Sequence, residues 1–424
     1  MWNRSRHDDR YKSPPTEYLP DTMNRSREVS LAVTAAVICI VAVLAVSYVN
    51  DSGNDPMDKL PNLTVTGETD LSGNFYLSFV YTKNIMMLDG KGNIVWYKHE
   101  DQPADGSNTG YWDFKKHVID GKVYYSYHDQ GAQYDDYGLA GYAPGHRVIM
   151  DENFREVKRV CMEKSDTVYK GHPIDGHDFL LIDLDHYIMS SYIKDRVYNV
   201  PGYPEGSNVI YSYLQEVKDG EVVWDWRSID YPELYSLTTT DAVDTANDFA
   251  NEKVDAPDYV HFNAMRLDDD GHLICSFRHL NTIMCLDRTA SEDQILWKLS
   301  GAADEFGLTD DQKTSSQHYV TVDGDVIRAF DNHNPAKATR IVSYEIDTDT
   351  MTLKQFDSYR VDGRFSSACG VQQLLYGETF MIGWGHSDND TICMSVYDFE
   401  KDEELISIAL DNNVNFTYRC AYYE

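Results

Sequence analysis

The sequence predicts an all-β protein, a six-bladed β-propeller preceded by a single N-terminal transmembrane helix. Beyond about residue 60 the chain consists of short apolar runs separated by Asp-Gly, Gly-Asn and similar turn dipeptides, which is typical of β-strands joined by hairpins. A unit of four such strands recurs six times, and repeats of this kind form propellers. One apolar run near the N-terminus has the length needed to cross a bilayer.

The N-terminal apolar run is SLAVTAAVICIVAVLAVSYV at residues 30–49. Arg and Lys residues precede it and Asp51 and Asp55 follow it, so the positive-inside rule places the N-terminus in the cytoplasm. We therefore expect a cytoplasmic tail at 1–29, a signal-anchor helix at 30–49, and a linker at 50–60. The domain beyond them is expected on the extracytoplasmic side of the cell membrane. A cleaved signal peptide is the alternative, but the long charged leader and long apolar run favour an uncleaved anchor.

The repeated units define a predicted propeller domain at residues 61–424. They begin at the stretches TDLSGNFYLSFV, HVIDGKVYYSYHD, HDFLLIDLDHYIM, HFNAMRLDDDGHLICSF, HYVTVDGDVIRAF and GVQQLLYGETFMIGW. The terminal NVNFTYRCAYY has the pattern of one more strand, which would complete a blade and close the ring. The acidic segment 228–258, between units three and four, departs from the pattern and is expected to form a helical insertion.

The charge of the chain limits its partners. The formal net charge is −33 and the isoelectric point is near 4.6. A surface this acidic repels phosphate backbones, which excludes nucleic acid as a partner. Any anionic substrate must therefore be bound by Arg and His side chains gathered locally against the overall field.

The six cysteines beyond the apolar run show no CxxC pair and no metal-binding spacing. Cys275 and Cys285 lie on neighbouring predicted strands. If Phe277 pairs with Thr282, then Cys275 faces Met284 and Cys285 points to the opposite side of the sheet. We expect mostly free, buried thiols.

Four histidines stand at the start of units two to five, ahead of the Asp- or Gly-containing turn: His117, His177, His261 and His318. The first strand of a propeller unit lines the central channel, so these imidazoles are expected to converge on one axial site. A structural role, such as capping a strand end, is the alternative for each histidine taken alone. Asn263 on the same strand as His261, and Arg278 at the end of the next strand, would add an amide and a guanidinium. His279 is expected to point away from the axis.

The chemistry of this set favours an oxyanion site over a metal site. Clustered imidazoles suit zinc or copper, but Arg278 would repel a cation, and no carboxylate or thiolate shares the histidine positions. A guanidinium offers a fork of donors to the oxygens of a tetrahedral anion, while an imidazole can act as nucleophile or proton shuttle. We therefore predict no metal and no cofactor. Tyr111, Tyr127, Tyr137 and Trp384 are candidates to stack on an aromatic substrate, with core packing as the alternative.

At these residues the chain resembles the bacterial arylsulfate sulfotransferases, PAPS-independent enzymes on a six-bladed propeller. The resemblance runs from about residue 60 to the C-terminus and rests on GHDFLLID, on HFNAMRLDDDGHLICSFRH followed by ILWKLSG, and on QHYVTVDGDVIRAFDN. It implies His318 as the nucleophile and His261, Asn263 and Arg278 as the groups that hold the sulfuryl oxygens. It also implies His177 as a further active-site histidine. Tyr319 stands where the family usually has Asp.

The expected function is therefore transfer of a sulfuryl group from an aryl sulfate to a phenol. The resemblance implies a ping-pong mechanism through a sulfohistidine, with catalytic roles for His318, His261, Arg278 and His177. Asn263 and His117 are expected to bind substrate. Two alternatives remain open at this point: a non-catalytic binding module, and a metal-dependent hydrolase on the same scaffold.

Overall fold

A computed structural model describes residues 56–104, 107, 109–131, 141–239, 246–388, 391–411 and 416–424. Within the compact unit Leu60–Glu424 it confirms the all-β, six-bladed propeller. The predicted cytoplasmic tail, the predicted anchor and residues 50–55 of the predicted linker lie outside the described residues. Among the residues that are described, no helix is long and apolar enough to span a membrane.

Each blade is an antiparallel sheet, and in blades two to five the strands follow the order of the chain. A 3₁₀ helix at Pro56–Lys59 precedes the first strand. The first eight strands are β1 Leu63–Gly67, β2 Asn74–Ser78, β3 Lys83–Leu88, β4 Ile94–Glu100, β5 Tyr111–Ile119, β6 Lys122–Gln130, β7 Pro144–Met150 and β8 Glu156–Val160. The next nine are β9 Ile174–Asp175, β10 Phe179–Asp183, β11 His186–Val197, β12 Ser207–Lys218, β13 Glu221–Arg227, β14 Phe262–Leu267, β15 Leu273–Phe277, β16 Thr282–Leu286 and β17 Ile295–Leu299.

The remaining strands form blade five, most of blade six, one strand of blade one and a separate short pair. They are β18 His318–Asp323, β19 Val326–Asp331, β20 Arg340–Asp347, β21 Thr352–Tyr359, β22 Ser366–Ala368, β23 Val371–Tyr376, β24 Thr379–Gly383, β25 His386–Ser387, β26 Ile392–Asp398, β27 Glu403–Leu410 and β28 Cys420–Tyr423. Blades two to five are β5–β8, β10–β13, β14–β17 and β18–β21, blade one is β28-β2-β3-β4, and blade six is β23-β24-β26-β27-β1. The short strands β22 and β25 pair with each other, and β9 pairs with β7.

Both ends of the domain close the ring. The terminal strand β28 pairs with β2 and supplies the innermost strand of blade one, as its sequence pattern predicted. In the other direction β1 pairs with β27, so that Leu63 opposes Leu410 on the outside of blade six. These two strands, distant in sequence, join the first and last blades, and the radial arrangement leaves only short sheet edges.

The core lies between neighbouring blades. Between blades four and five, for example, Ile274 and Cys285 share a buried apolar cluster with Val320 and Ala329. The strand register places Cys275 opposite Met284 and Ile274 opposite Cys285, so the two cysteines face opposite sides of the sheet as predicted. All six described cysteines are free thiols.

The described part of the segment 228–258 contains short helices. Two short 3₁₀ helices, Ser228–Asp230 and Pro232–Leu237, follow directly from β13. Pro232 fits the start of the second one, where its missing N–H costs no hydrogen bond. The segment returns to the propeller at Asp258, which forms an isolated bridge with Ile210 of β12.

Backbone bulges mark the starts of the innermost strands. The β14–β15 register shifts between Phe262 and Ala264, and the β18–β19 register shifts between His318 and Val320. His261 and Tyr319 adopt positive φ values of 50° and 47° beside these shifts. Such bulges re-aim side chains at the rim of a sheet, and here they direct polar side chains inward.

Candidate active site

Three of the four predicted histidines converge in one buried site at the heads of β10, β14 and β18. The rings of His177 and His261 meet edge to face, with centroids 5.0 Å apart. His318 follows on the next blade, and its side chain is electrostatically coupled to both of these imidazoles and to Arg278. All four side chains are buried. The sequence therefore located a real cluster of chemically capable groups.

Asn332, which directly follows β19, holds His318 in one tautomer. The Nδ2 of Asn332 donates to the carbonyls of Ser366 and Cys369, at 2.8 and 3.1 Å, and so its Oδ1 is the atom that faces His318. The His318 Nδ1 lies 2.7 Å from that Oδ1 and 3.1 Å from the carbonyl of Ser316. Both neighbours are acceptors, so Nδ1 carries the proton and Nε2 keeps its lone pair.

The other ring nitrogen of His318 is in contact with backbone. The N–H of Cys369 donates to Nε2 at 3.2 Å. Cys369 has a positive φ of 63°, a conformation that is strained for a residue other than glycine. Burial and the nearby charge of Arg278 hold the pKa of His318 well below its usual value, so the imidazole is neutral at pH 7.

His261 is oriented by Asp258, three residues earlier. Its Nδ1 lies 2.5 Å from Asp258 Oδ2, and its backbone N–H donates to Oδ1 at 3.1 Å. The hydroxyl of Tyr142 also donates to Oδ2, at 3.0 Å. Burial raises the pKa of Asp258, whereas burial, His177 and Arg278 hold the pKa of His261 well below its usual value. The imidazole of His261 is therefore neutral at pH 7.

His177 is paired with Asp175 in a different electrostatic setting. Its Nδ1 hydrogen-bonds the Oδ1 of Asp175, and its backbone N–H donates to the same oxygen at 2.9 Å. Burial would raise the pKa of Asp175, but the charge and hydrogen bond of His177 outweigh it and the pKa is lowered. The backbone N–H of Ala143 supports the carboxylate at 2.9 Å. The ionised carboxylate thus accepts the hydrogen bond of Nδ1 and fixes the orientation of the His177 ring.

Arg278 reaches the site from a one-turn 3₁₀ helix, Arg278–Leu280, which ends β15. Its backbone N–H donates to the carbonyl of His261 at 2.8 Å, which ties the helix to the head of β14. Its positive charge lowers the pKa values of His261, His279 and His318, an effect that requires it to lie close to all three.

Asn263 contributes an amide with unused hydrogen-bonding capacity. Its Nδ2 donates to the carbonyl of Gln317 at 2.7 Å, which links β14 to the residue before the nucleophile candidate. Its Oδ1 is buried and, among the described residues, has no hydrogen-bond partner. A buried polar atom without a partner is uncommon and marks a position where a ligand or water can bind.

A network of buried charges lies next to the site. Arg419 donates to the carbonyl of Asn263 at 2.5 Å and pairs with Asp178 at 3.1 Å and Asp113 at 3.4 Å. Lys115 bridges the same two carboxylates, at 2.5 and 2.9 Å. Because the carboxylates are fully engaged by cations, this network fixes the backbone of Asn263 without placing a free negative charge beside it.

Two predictions about the histidines need correction. His117 does not share the position of the others, because it lies near the turn end of β5 and hydrogen-bonds Ser126 at 2.6 Å. The bulge of β5 falls between Trp112 and Lys115, which shifts the strand relative to its neighbours.

His279 does not point away from the axis, because the 3₁₀ helix breaks strand alternation. Its ring packs on His261 with centroids 4.7 Å apart, and its Nδ1 contacts the carbonyl of Asp258 at 2.6 Å.

The aromatic side chains around the site differ from the four that the sequence suggested. Tyr111, Tyr127 and Trp384 belong to apolar cores, and Tyr137 lies outside the described residues. The rings beside His177 are instead Tyr418, at 5.2 Å, and Tyr192, at 5.6 Å. Trp112 stacks near Tyr418 at 4.8 Å and borders His177 at 6.1 Å.

Asp258, His261 and His279 also have the composition of a metal site. Each offers one ligand atom, and these atoms lie within 4.8 Å of one another. Arg278 is electrostatically coupled to both histidines, however, and its fixed charge opposes a second cation in the same space. The arrangement therefore suits an anion better than a metal ion.

Sequence reasoning missed the residues that orient the histidines: Asp175, Asp258 and Asn332. Two of them were visible as Asp-x-His in IDGH and Asp-x-x-His in DYVH, spacings at which a carboxylate can reach an imidazole. Asn332 gave no such signal, because it reaches His318 across a hairpin and its importance depends on the strand register.

Comparison with known proteins assigns the chain to a family. The model of the arylsulfotransferase (ASST) family matches residues 131–389, which is more than half of the chain and includes all three converging histidines. The chain belongs to the arylsulfotransferase family. Membership indicates a sulfotransferase on a propeller scaffold. No curated protein matches the sequence.

Solved structures with similar folds show low identity. A protein of unknown function from Bacteroides caccae is 8% identical, covers 84% of this chain and 100% of its own, and has a TM-score of 0.44. The periplasmic gluconolactonase PpgL of Pseudomonas aeruginosa is 10% identical, with coverage of 83% and 99% and a TM-score of 0.41. Virginiamycin B lyase from Staphylococcus aureus is 10% identical, with coverage of 82% and 99% and a TM-score of 0.31.

Proposed function

We propose that this arylsulfotransferase moves a sulfuryl group from an aryl sulfate to a phenol by a ping-pong reaction through a sulfated His318. The observation that carries the proposal is the state of His318. Asn332 fixes the proton on Nδ1, and so Nε2 presents a lone pair in a buried site coupled to Arg278, His177 and His261. A neutral imidazole held in one tautomer is the form that can attack sulfur.

In the first half-reaction, Nε2 of His318 forms a bond to sulfur as the bond from sulfur to the aryl oxygen breaks. Charge in such a transfer sits on the peripheral oxygens, with nucleophile and leaving group in line. In this proposal Arg278, the backbone N–H of Cys369 and the Nε2–H of His261 stabilise those oxygens, with Asp258 carrying the proton of its hydrogen bond to His261 Nδ1. The N–H of Cys369 contacts Nε2 in the free protein, and it becomes available to a sulfuryl oxygen once that lone pair forms the new bond.

His177 is the proton shuttle in this proposal. His177, with the ionised carboxylate of Asp175 behind it, passes a proton to the departing phenolate oxygen in this proposal. In the second half-reaction the acceptor phenol returns a proton to His177 as its oxygen attacks sulfur, and His318 is restored. The aromatic rings of Tyr418, Tyr192 and Trp112 provide faces for the aryl groups of donor and acceptor.

The test uses the purified full-length chain and 4-nitrophenyl sulfate as donor. Donor alone is expected to add about 80 Da, the mass of SO₃, to one peptide that contains His318. Addition of phenol is expected to remove the adduct and form phenyl sulfate. His318→Ala is expected to abolish both, whereas His99→Gln on the outer strand β4 keeps both.

The absence of the adduct and of transfer in the parent chain would contradict the proposal. Transfer without an adduct, with phenyl sulfate formed only when both substrates are present, would replace the ping-pong mechanism with direct transfer. The predicted anchor at 30–49 adds a second component to the proposal, that the enzyme works at the membrane on the extracytoplasmic side. Protease accessibility of the propeller on intact cells tests this component.

A further inference from the structure

A second cluster of ligand-type side chains lies at the opposite end of β14 from His261. Asp268, His272 and Cys285 each present one ligand atom, and these three atoms lie within 4.8 Å of one another. The Nδ1 of His272 and the Oδ2 of Asp268 are 3.0 Å apart. A carboxylate, an imidazole and a thiol are the three ligand types that zinc and its neighbours bind in proteins.

The β14–β15 turn fixes the first two groups. The Oδ1 of Asp268 accepts the backbone N–H of Asp270 at 3.1 Å and that of His272 at 2.7 Å. Its other oxygen is thereby turned toward the imidazole. The third group comes from the neighbouring hairpin, because Cys285 on β16 pairs with Ile274, the residue two positions beyond His272. Two groups from one turn and a third from an adjacent strand are thus brought together by ordinary strand register.

The surroundings favour a cation. A cavity of about 320 Å³ between blades four and five is lined by Asp268 and His272, and also by the carboxylates of Asp269, Asp270 and Asp325. The thiol of Cys285 lies on the buried side of the same cluster. Asp268 and Asp287 interact electrostatically with this thiol, and their negative charges favour a cation beside it.

The guanidinium of Arg288 lies close to this turn but does not cancel the preference of the cluster for a cation. Arg288 donates to the carbonyl of Gly271 at 2.8 Å, but its side chain is paired with Glu216 through two hydrogen bonds, one of 2.8 Å from Nε. Its charge is therefore compensated locally. This differs from the cluster around His261, where Arg278 lowers the pKa values of both histidines.

We propose that Asp268, His272 and Cys285 form a binding site for a borderline transition-metal ion such as Zn²⁺, with a fourth position open to the adjoining cavity. Ligand atoms around tetrahedral zinc lie about 3–4 Å apart, so the cluster needs only small side-chain adjustments. Binding replaces the thiol proton, which is released to solvent, with a metal–sulfur bond. The site is independent of the sulfuryl-transfer chemistry at the other end of the strand.

Cobalt titration of the metal-free, full-length chain tests the site. One equivalent of Co²⁺ is expected to produce a thiolate-to-cobalt charge-transfer band and tetrahedral ligand-field bands, and Zn²⁺ is expected to displace both. Cys285→Ser is expected to abolish the charge-transfer band. Cys275→Ser is the matched control, because Cys275 lies on the adjacent strand and faces the opposite side of the same sheet.

Two turn variants keep the proposal testable if Cys285→Ser fails to fold. Asp268→Asn and His272→Gln leave the core unchanged and are each expected to weaken Co²⁺ binding at least tenfold. The proposal is overturned if the parent chain gives no charge-transfer band, if the band survives in Cys285→Ser, or if both turn variants bind Co²⁺ as tightly as the parent.

Discussion

The rings of His177 and His261 meet edge to face, with centroids 5.0 Å apart. Each ring is hydrogen-bonded through Nδ1 to its own aspartate, and the pKa values of these two aspartates are shifted in opposite directions. The pKa of Asp175 is lowered, and the pKa of Asp258 is raised. Two imidazole–carboxylate pairs in contact would compete for protons if they were equivalent. Their different environments distinguish the two pairs, and the lowered pKa of His261 keeps its ring a neutral hydrogen-bonding group.

This difference predicts different effects for Asp175→Asn and Asp258→Asn. Asp175→Asn removes the carboxylate behind the proposed shuttle His177, so kcat/KM should fall roughly 10²–10⁴-fold for aryl sulfates with poor leaving groups. The loss should be much smaller for 4-nitrophenyl sulfate, whose phenolate leaves without help. Asp258→Asn should lower kcat/KM by the same factor for both donors, because Asp258 orients His261. The measurement is a leaving-group series for each variant.

Equal losses across the series in Asp175→Asn would show that His177 is not the shuttle. A leaving-group dependence confined to Asp258→Asn would transfer that role to His261. Thermal unfolding of both variants serves as the control, since loss of fold lowers all rates alike.

Asn332 should act as a positioning residue for His318, the proposed nucleophile. Asn332→Ala removes the acceptor for the Nδ1 proton of His318 and lets the proton move to Nε2, so adduct formation from 4-nitrophenyl sulfate should slow roughly 10²–10⁴-fold. Asn332→Asp keeps an acceptor but adds a negative charge, which raises the pKa of His318. The acidic limb of the plot of kcat/KM against pH should then move to higher pH. A purely structural role for Asn332 would leave the position of that limb unchanged.

The sequence predicted the features that depend on strand alternation and on the local pattern of a single strand. Strand alternation placed Cys275 and Cys285 on opposite faces, and the strand pattern of the C-terminus predicted ring closure by β28. It did not predict the pairing of β1 with β27, because the partner lies at the other end of the domain and five residues carry little pattern.

The site was predictable only in part, because bulges change the register. His177, His261 and His318 were identified correctly as a cluster, whereas His117 was grouped with them although β5 is offset by its own bulge. His279 was excluded on strand alternation, which ends where the 3₁₀ helix begins. Both errors arise where the backbone leaves regular β-geometry, and such departures depend on tertiary packing.

Arg278 should be needed both to bind the sulfuryl oxygens of the donor and to lower the pKa of His318. Arg278→Lys keeps a charge but loses the planar fork, and kcat/KM for the donor should fall roughly 10²-fold. Arg278→Gln also removes the charge that lowers the pKa of His318, so the acidic limb of the pH profile should move to higher pH. Arg227→Gln, an exposed pair with Asp230 on blade three, is the matched control and should behave as the parent. An unchanged limb in Arg278→Gln would contradict the inferred proximity.

Arg419 should contribute strongly to stability. Arg419→Met leaves the buried carboxylates of Asp113 and Asp178 without one of their cations, and the free energy of unfolding should fall by about 3–5 kcal/mol. Lys401→Met removes an exposed partner of Asp398 and should cause no measurable change. Chemical denaturation of both variants gives the comparison. Equal midpoints for the two would show that Lys115, Arg147 and Arg266 suffice to balance the two carboxylates.

Stability should also depend on pH through buried histidines outside the catalytic set. Burial lowers the pKa of His117 to about 3, that of His128 to about 4 and that of His279 to about 3. Histidines in the unfolded chain have pKa values near 6.5, so unfolding takes up protons below that pH. The stabilising contribution is therefore complete above about pH 6.5 and is lost as the pH falls toward the folded-state values.

Denaturation midpoints measured between pH 7.5 and pH 5 check this expectation, because most carboxylates stay ionised in that window. The free energy of unfolding should decrease by about 1.4 kcal/mol per pH unit for each such histidine once the pH is below about 6. His117→Gln keeps a polar partner for Ser126 but cannot titrate, so its slope should be smaller than that of the parent. A parent whose stability is constant between pH 6.5 and pH 5 would show that these imidazoles accept protons without unfolding.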